Sequence, residues 1–415
     1  MSDPLSSREP GASVAYQWLL TGLLSLSFGF VLFDRNALGF LMPFIQPELA
    51  LSNAEVGVLS GALSLTWALS AFGVGAISDR LGTRKRPLVI ITLAFSACTF
   101  ASGLARSFVT MLGARLAIGA AEGGIMPLSQ SLIASDVAAR HRGLAMGVAQ
   151  GFGSSLLGSF VAPVVLVGFA SAFGWRHAFF LAGAPGLLSA LLMAWFIRER
   201  RATAVDGPAR VAQSGSLREV LAERNVILCA VLGVLLVSYL VLCWTFMPLY
   251  LTQVRGYDAR TMSWLMGTLG ISATLASTAI PALSDRLGRR VPMIVVPLIA
   301  SILPLAALFF SGSVWSLAVI FFVGWTVTGI FPLFMATVPA ESVATGHIAT
   351  ALGVCMGTSE IIGGVLSPII AGSAADKFGL GAPLWMMLGF TLAAVFVALG
   401  LRETAPYLRQ GRECE

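Results

Sequence analysis

The chain has 415 residues, 57% of them hydrophobic and only 11% charged, with a mean hydropathy of +0.86. Soluble domains carry about 25% charged residues, so this composition excludes a soluble globular protein and leaves no room for a separate soluble domain. The net charge of +6 would suit a nucleic-acid partner, but the placement of the basic residues argues against one.

In chain order, the polar residues up to about Ala15 lack a basic region followed by a small-residue cleavage site, so no removable signal is expected. Long apolar runs predict six helices at 17–43, 54–77, 87–106, 108–135, 143–171 and 176–197. Six more follow at 226–252, 261–283, 291–311, 314–339, 348–374 and 383–402. Each reaches the ~20 residues that cross ~30 Å of hydrocarbon, so the lipid bilayer is the first expected partner. An even count returns both termini to one side. Nineteen of the 26 Lys and Arg residues fall in tails and loops on that side and five on the other. The positive-inside rule then places both termini in the cytoplasm and accounts for the basic pI without nucleic acid. Short tails and missing N-x-S/T sequons fit a bacterial inner membrane. Cys98, Cys229, Cys243 and Cys355 lie in apolar runs and Cys414 in the tail, with no C-x-x-C spacing, so neither a disulfide framework nor a metal site is indicated.

One motif occurs twice. GAISDRLGTRKRP begins at Gly75 and PALSDRLGRRVP at Pro281, which sets Asp79 and Asp285 206 residues apart. Phe173-Gly174 recurs as Phe378-Gly379, shifted by 205, and Arg198-Glu199 as Arg402-Glu403, shifted by 204. A chain that repeats in register is two copies of one unit. The expected organisation is an N-terminal six-helix bundle over 1–197, a cytoplasmic linker over 198–225 and a C-terminal six-helix bundle over 226–415 ending in a short tail. The linker contains Gly207-Pro208, and residues 217–224 could form a short amphipathic surface helix. Paired membrane bundles rock about a site at their shared interface, which points to a transporter. Asp79, Arg80 and Arg84, with Asp285, Arg286 and Arg289, are the expected cytoplasmic gate. Their carboxylates can pair with Arg84 or Arg289, or cap a helix of the other half, while Gly82 and Gly288 supply tight turns.

The twelve-helix duplication with this Gly-x-x-x-Asp-Arg-x-Gly motif resembles the major facilitator superfamily over essentially the whole chain. The resemblance implies an all-α membrane protein of two pseudo-symmetric six-helix bundles, with the motif as a conformational lock.

Function is expected where the copies differ. Shifting by 206 sets Asp34 against Leu240, Arg35 against Val241, Arg115 against Phe321 and Glu122 against Thr328, while Glu360 maps back to Ser154. Four ionisable residues thus lie within the membrane in the first half and one in the second. Each costs ~2.5–3.5 kcal/mol at a helix centre, so the set must be paired, hydrated or functional. Arg115 and Glu122, nearly two turns apart, share a face of helix 4 about 10 Å apart along its axis. Asp34 on helix 1 can reach Arg115, and Arg35 points about 100° away toward a central cavity. Gly119, Gly123 and Gly124, with Pro127, let helix 4 pack closely and bend beside the acid. The fork of Arg35 matches a carboxylate bidentately, and Asp34, Glu122 and Glu360 are candidate proton carriers. Glu360 could equally bond the glycine-rich backbone around it.

This constellation resembles the anion:cation symporters. The resemblance implies proton coupling at Asp34 and Glu122 and anion binding at Arg35. The sequence departs from that group in DVAARHRG (Asp136 to Gly143) after helix 4, in Leu32, and in an uncharged helix 7. Arg35, Arg115, Gln150, Tyr239, Trp325 and Ser359 are the expected substrate-binding residues, within a lining that includes Ser154, Ser155, Ser238, Trp244, Thr274, Ser277, Thr326, Thr328, Phe331 and Thr358. That lining suits a carboxylate with an aromatic or apolar body, or a hydroxy acid, somewhat better than a polyol. The expectation is proton-coupled uptake of a small organic anion by alternating access, as a monomer, with protons as the coupling ion and no other cofactor. A sugar-acid/proton symporter is the alternative. A drug/proton antiporter fits less well, because Arg35 suits cationic drugs poorly and the stretch from Gly151 lacks the antiporters' Gly-Pro. An enzyme is not expected, since no nucleophile–base set, metal cluster or phosphate loop is visible.

Overall fold

A computed structural model of the protein describes residues 13–81, 83–138, 141–199 and 217–405, apart from the side chains at 72, 75–81 and 152. Among the described residues, twelve helices are long and apolar enough to cross a membrane. They are α1 (Val14–Leu49), α2 (Asn53–Leu81), α3 (Lys85–Gly103), α4 (Phe108–Asp136), α5 (Arg142–Phe173) and α6 (Trp175–Phe196). The second set is α7 (Arg224–Val254), α8 (Ala259–Leu287), α9 (Arg290–Phe309), α10 (Val314–Ser342), α11 (Thr345–Phe378) and α12 (Gly381–Leu399). Large apolar side chains such as Trp315, Trp195 and Phe396 stand exposed around the outside, as a lipid-facing surface requires. Most of the linker and the gate residues Asp79 and Arg80 lie outside the described side chains. The expected surface helix is present as a short turn at Leu217–Ala222, tied to the start of α11 by a Glu219–His347 pair of 2.8 Å.

The repeat holds down to irregular turns. Shifted by 206, the bounds of α2 coincide with those of α8. A widened π-helical stretch at Ser154–Val161 of α5 recurs at Ser359–Leu366 of α11. Helix α4 is interrupted beside Glu122, where its glycines were expected to let it bend. It breaks at Gly123-Gly124, and α10 tightens into 3-10 turns over the matching Trp325–Ile330. The cause is close approach: a Cβ on Gly123 would lie 2.4 Å from the Trp67 carbonyl of α2, and one on Gly329 2.4 Å from the Ala276 carbonyl of α8. The Phe-Gly pairs also act alike, with Gly174 and Gly379 turning the chain at φ of +86° and +83°, which favours glycine.

The Arg-Glu pairs tie each bundle shut. The Arg198 amide donates to the Tyr16 hydroxyl at 2.9 Å, and the Arg402 amide to Asn225 Oδ1 at 3.0 Å. Glu199 lies 3.7 Å from Arg86. Glu403 instead accepts the amides of Arg289 (2.8 Å) and Arg290 (3.1 Å) at the start of α9. Burial pushes its carboxyl up, but the amides of Ala405, Arg289, Arg290 and Thr404 outweigh that and hold it below the usual carboxylate range.

The bundles meet along α1–α7, α2–α11 and α5–α8. At the face opposite the one where α1 begins, the seam is backbone against backbone. A Cβ on Gly57 would lie 2.1 Å from the Pro368 carbonyl, one on Gly372 2.3 Å from that of Asn53, and one on Gly39 2.2 Å from that of Trp244. Asp376 of α11 accepts the Asn53 and Ala54 amides at 2.8 and 2.9 Å, capping the start of α2. Gln253 donates to Gln46 at 2.9 Å, and the Ser60 and Thr245 hydroxyls meet at 2.7 Å. Among the described residues, these four hydrogen bonds between the bundles all lie in this half of the molecule.

Candidate functional site

Below that seam, between the bundles, lies a cavity of about 450 Å³. The first bundle lines it with Leu32, Arg35, Asn36, Ser60, Ser64, Arg115, Ser154, Ser155 and Ser159. The second contributes Val241, Trp244, Thr245, Ser277, Trp325, Thr328, Phe331, Met335 and Glu360. One wall is therefore polar and cationic, while the other sets three aromatic rings and aliphatic groups beside a few hydroxyls and one acid.

Helix periodicity separates two neighbours on α1. Arg35 faces the cavity, where its Nη2 donates to Ser64 Oγ at 3.3 Å and its guanidinium sits 5.2 Å from the Trp67 ring. The hydrogen bond and the cation–π contact, both from α2, hold the fork in one orientation. Asp34 points the other way, into the first bundle, fully buried beside Cys98 and Thr99 of α3. Arg115 lines the cavity from α4 yet is only 2% exposed. Its Nη2 donates 3.1 Å to the Arg35 main-chain carbonyl. Sequence reasoning had Asp34 within reach of Arg115. In the structure they feel each other's charge but make no ion pair, and Nη2 of Arg115 turns instead to the backbone one residue along. Both carboxylate oxygens of Asp34, both of Glu122, and Nε and Nη1 of Arg115 are buried without a hydrogen-bond partner. Glu122 does not reach the cavity. It lies 1% exposed behind the wall, where α4 crosses α2 so closely that a Cβ on Gly119 would meet the Leu63 carbonyl at 2.3 Å.

On the other wall, Glu360 lines the cavity from the widened stretch of α11. It does not bond the glycine-rich backbone. Gly364, one turn along, leaves a notch in which a Cβ would be 2.9 Å from Glu360 Oε2 and 3.5 Å from Ser64 Oγ. Trp325 also lines the cavity, meeting Trp244 edge to face at 5.1 Å, and its indole N–H has no partner.

Three expected substrate contacts do not line the cavity. Tyr239 is fully buried, donating to the Ala300 carbonyl at 3.2 Å. Ser359 donates to the Cys355 carbonyl at 2.6 Å and fills the space opposite Gly233. Gln150 is not part of the cavity wall, and its carbonyl accepts the Ser154 hydroxyl. Ser238, Thr274, Thr326 and Thr358 likewise bond carbonyls of their own helices and do not line the cavity. Sequence reasoning missed Asn36, which donates to the Gly158 carbonyl at 2.9 Å, and Ser60, Ser64, Trp67 and Thr245. The small-residue face of α2, with Gly57, Gly61 and Ser64 three and four apart, was the available signal.

At the gate, Asp285 pairs with Arg289, which also reaches Glu341 at 3.1 Å. Arg286 sits in the last turn of α8, and Gly288 turns the chain at φ +90°. Arg84 donates to the Ser131 carbonyl at 3.1 Å within its own bundle.

The sequence profile of the Major Facilitator Superfamily matches residues 24–361 and, in a second match, 244–413. The "Probable sulfoacetate transporter" of Cupriavidus necator is 24% identical, over 87% of this chain and 88% of its own length. The "Probable 4-methylmuconolactone transporter" of Cupriavidus pinatubonensis is 28% identical, over 87% of this chain and 86% of its own. A solved inward-facing, occupied bacterial homologue of the human lysosomal transporter Spinster shares the fold, with a TM-score of 0.75 at 20% identity over 94% of this chain and 97% of that one. A duplicated twelve-helix frame, a central cavity between its halves and a profile match across both of them lead to one assignment: the chain belongs to the Major Facilitator Superfamily and is a membrane transporter, not an enzyme.

Proposed function

We propose that this transporter takes up a small organic anion, a carboxylate with an aromatic, apolar or hydroxylated body, together with protons. It works as a monomer in the bacterial inner membrane with both termini in the cytoplasm, and protons are its only coupling species. One observation carries the reading. The only cationic side chains on the described cavity wall are the guanidiniums of Arg35 and Arg115, and Asp34 and Glu122 lie buried behind them with unpartnered oxygens. Relatives named for transport of small organic acids support the same class of solute.

In this reading Arg35 takes the carboxylate through its fork, with Ser64 and Trp67 setting its angle. The apolar body rests on Trp244, Trp325 and Phe331. Arg115 links the anion to the acids, because it holds the Arg35 backbone and lies in the field of both Asp34 and Glu122. A buried carboxylate without a partner is costly when charged, so each acid holds a proton in one conformation and gives it up in the other. With the termini inside, the seam at Asp376 and Gly57 closes the periplasmic face, and solute leaves toward the cytoplasm. The paired Asp285 and Arg289, and the matching Asp79, Arg80 and Arg84, then govern the cytoplasmic face. One elementary charge crossing 100 mV is worth ~2.3 kcal/mol, enough for roughly fifty-fold accumulation.

The test is uptake of labelled carboxylates by proteoliposomes with and without a pH gradient. Asp34→Asn should abolish gradient-driven accumulation while leaving solute exchange largely intact. Accumulation by that variant at wild-type rates would sink proton coupling at this site, and uptake of no organic acid would sink the anion reading.

A further inference from the structure

We propose that Glu360 sets the valence of the solute: a monoanion enters beside ionised Glu360, and a dianion enters only with an extra proton on it. The inference rests on the organic-anion reading above and concerns what that cavity accepts.

The charged side chains lining the described cavity are Arg35, Arg115 and Glu360. Asp34 and Glu122 are withdrawn behind the wall. While Asp34 and Glu122 hold their protons, two guanidiniums and one carboxylate leave a single positive charge, which one carboxylate of a solute neutralises. A second negative charge would be unbalanced in a confined, mainly apolar space, where the Coulomb energy is several times its value in water.

Glu360 is placed to make that balance. The notch at Gly364 brings its Oε2 near Ser64 Oγ, the atom that accepts from Arg35. The acid from the second bundle therefore stands at the corner where Arg35 is anchored, without forming an ion pair with it. The groups facing Glu360 are Arg35 from α1 and, across the cavity, Arg115 from α4. Helices α2 and α7, packed on the same stretch, bring Ser64, Val234 and Val237 to it and no charged side chain. Its counterpart under the repeat, Ser154, also lines the cavity and is neutral, so the acid is an addition to one half only.

The experiment measures uptake of benzoate and terephthalate, the same ring with one or two carboxylates, by proteoliposomes carrying wild-type protein, E360Q or E360D. In wild type and E360D, terephthalate uptake relative to benzoate should fall as pH rises from 6 to 8, and an internal pH dye should record one more proton per terephthalate. In E360Q the ratio should rise roughly tenfold at the upper pH and lose its pH dependence. The ratio does not depend on how much E360Q folds. Equal proton counts for the two solutes in wild type, or an E360Q ratio that follows the wild-type curve, overturn the proposal while leaving anion transport standing. Uptake of neither solute by wild type overturns it at its base.

Discussion

The two halves share a backbone plan almost residue for residue and divide the chemistry unequally. Widened turns, breaks and Phe-Gly corners recur at the same shift, yet four intramembrane ionisable side chains sit in the first half and one in the second. The first half carries its charges on α1 and α4, which meet α2 at Ser64 and Gly119. At the equivalent places the second half has Val241 and Thr328 in the cavity and Phe321 in its core. Such a division suits a machine in which one bundle supplies the cations that meet the solute's charge, while the other shapes its body and adds a single acid. Symmetric scaffolds thus need no symmetric sites.

Several substitutions would break or sharpen that comparison. The largest effect is expected at Arg35, where lysine removes the planar fork and its contacts to Ser64 and Trp67; anion affinity should fall by about a hundredfold. The counterpart change, Val241→Ala, should alter affinity by no more than about fivefold, since ~1 kcal/mol is the usual scale for trimming an apolar contact. Solute-concentration curves of uptake measure both, and similar losses would erase the proposed division of labour. Next come the seams. Gly57→Val drives a Cβ to 2.1 Å from the Pro368 carbonyl, whereas Gly267→Ala meets nothing nearer than 3.5 Å, an ordinary van der Waals contact. The first should prevent closure of its face and cut turnover more than tenfold, since overpacking a close contact costs about 1–3 kcal/mol. The second should stay within twofold of wild type. The smallest effect concerns the Arg-Glu ties. A carboxyl held low when folded stabilises above the ordinary carboxylate range and loses that contribution as pH falls through its lowered value. Glu403→Gln should therefore cost about 1 kcal/mol or less at neutral pH, with solvent screening part of it, and the difference from wild type should shrink as pH falls below the ordinary carboxylate range. Glu199→Gln, which loses only an exposed side-chain pair, should cost less. Melting curves across pH test both.

The sequence made the fold legible because hydropathy and the 206-residue repeat are properties of the chain itself. Twelve spans, and the glycines that bend α4, follow from spacing and size. The site was half legible. Arg35 and Glu360 announce themselves as costly intramembrane charges, and helical periodicity sends Asp34 and Arg35 to different sides. The hydroxyls were not legible in the same way. A serine or threonine at mid-membrane can bond a carbonyl one turn back, as Ser359 and Thr358 do, or face the cavity, as Ser64 does. Only the crossing of helices decides which. Tyr239 was misplaced for a similar reason: its hydroxyl finds a carbonyl inside its own bundle, so it has no need of the cavity.

The meeting of α2 with α11 has a thermodynamic consequence. Where glycines lie against carbonyls, docking freezes almost no rotamers, so the entropic toll that usually opposes an interface is nearly absent. Few groups then need to pull the other way. The twin amide bonds to Asp376, short and charge-assisted, become the main fastener of that face, and an interface so lightly fastened can part and reseal without passing through a deep energy well.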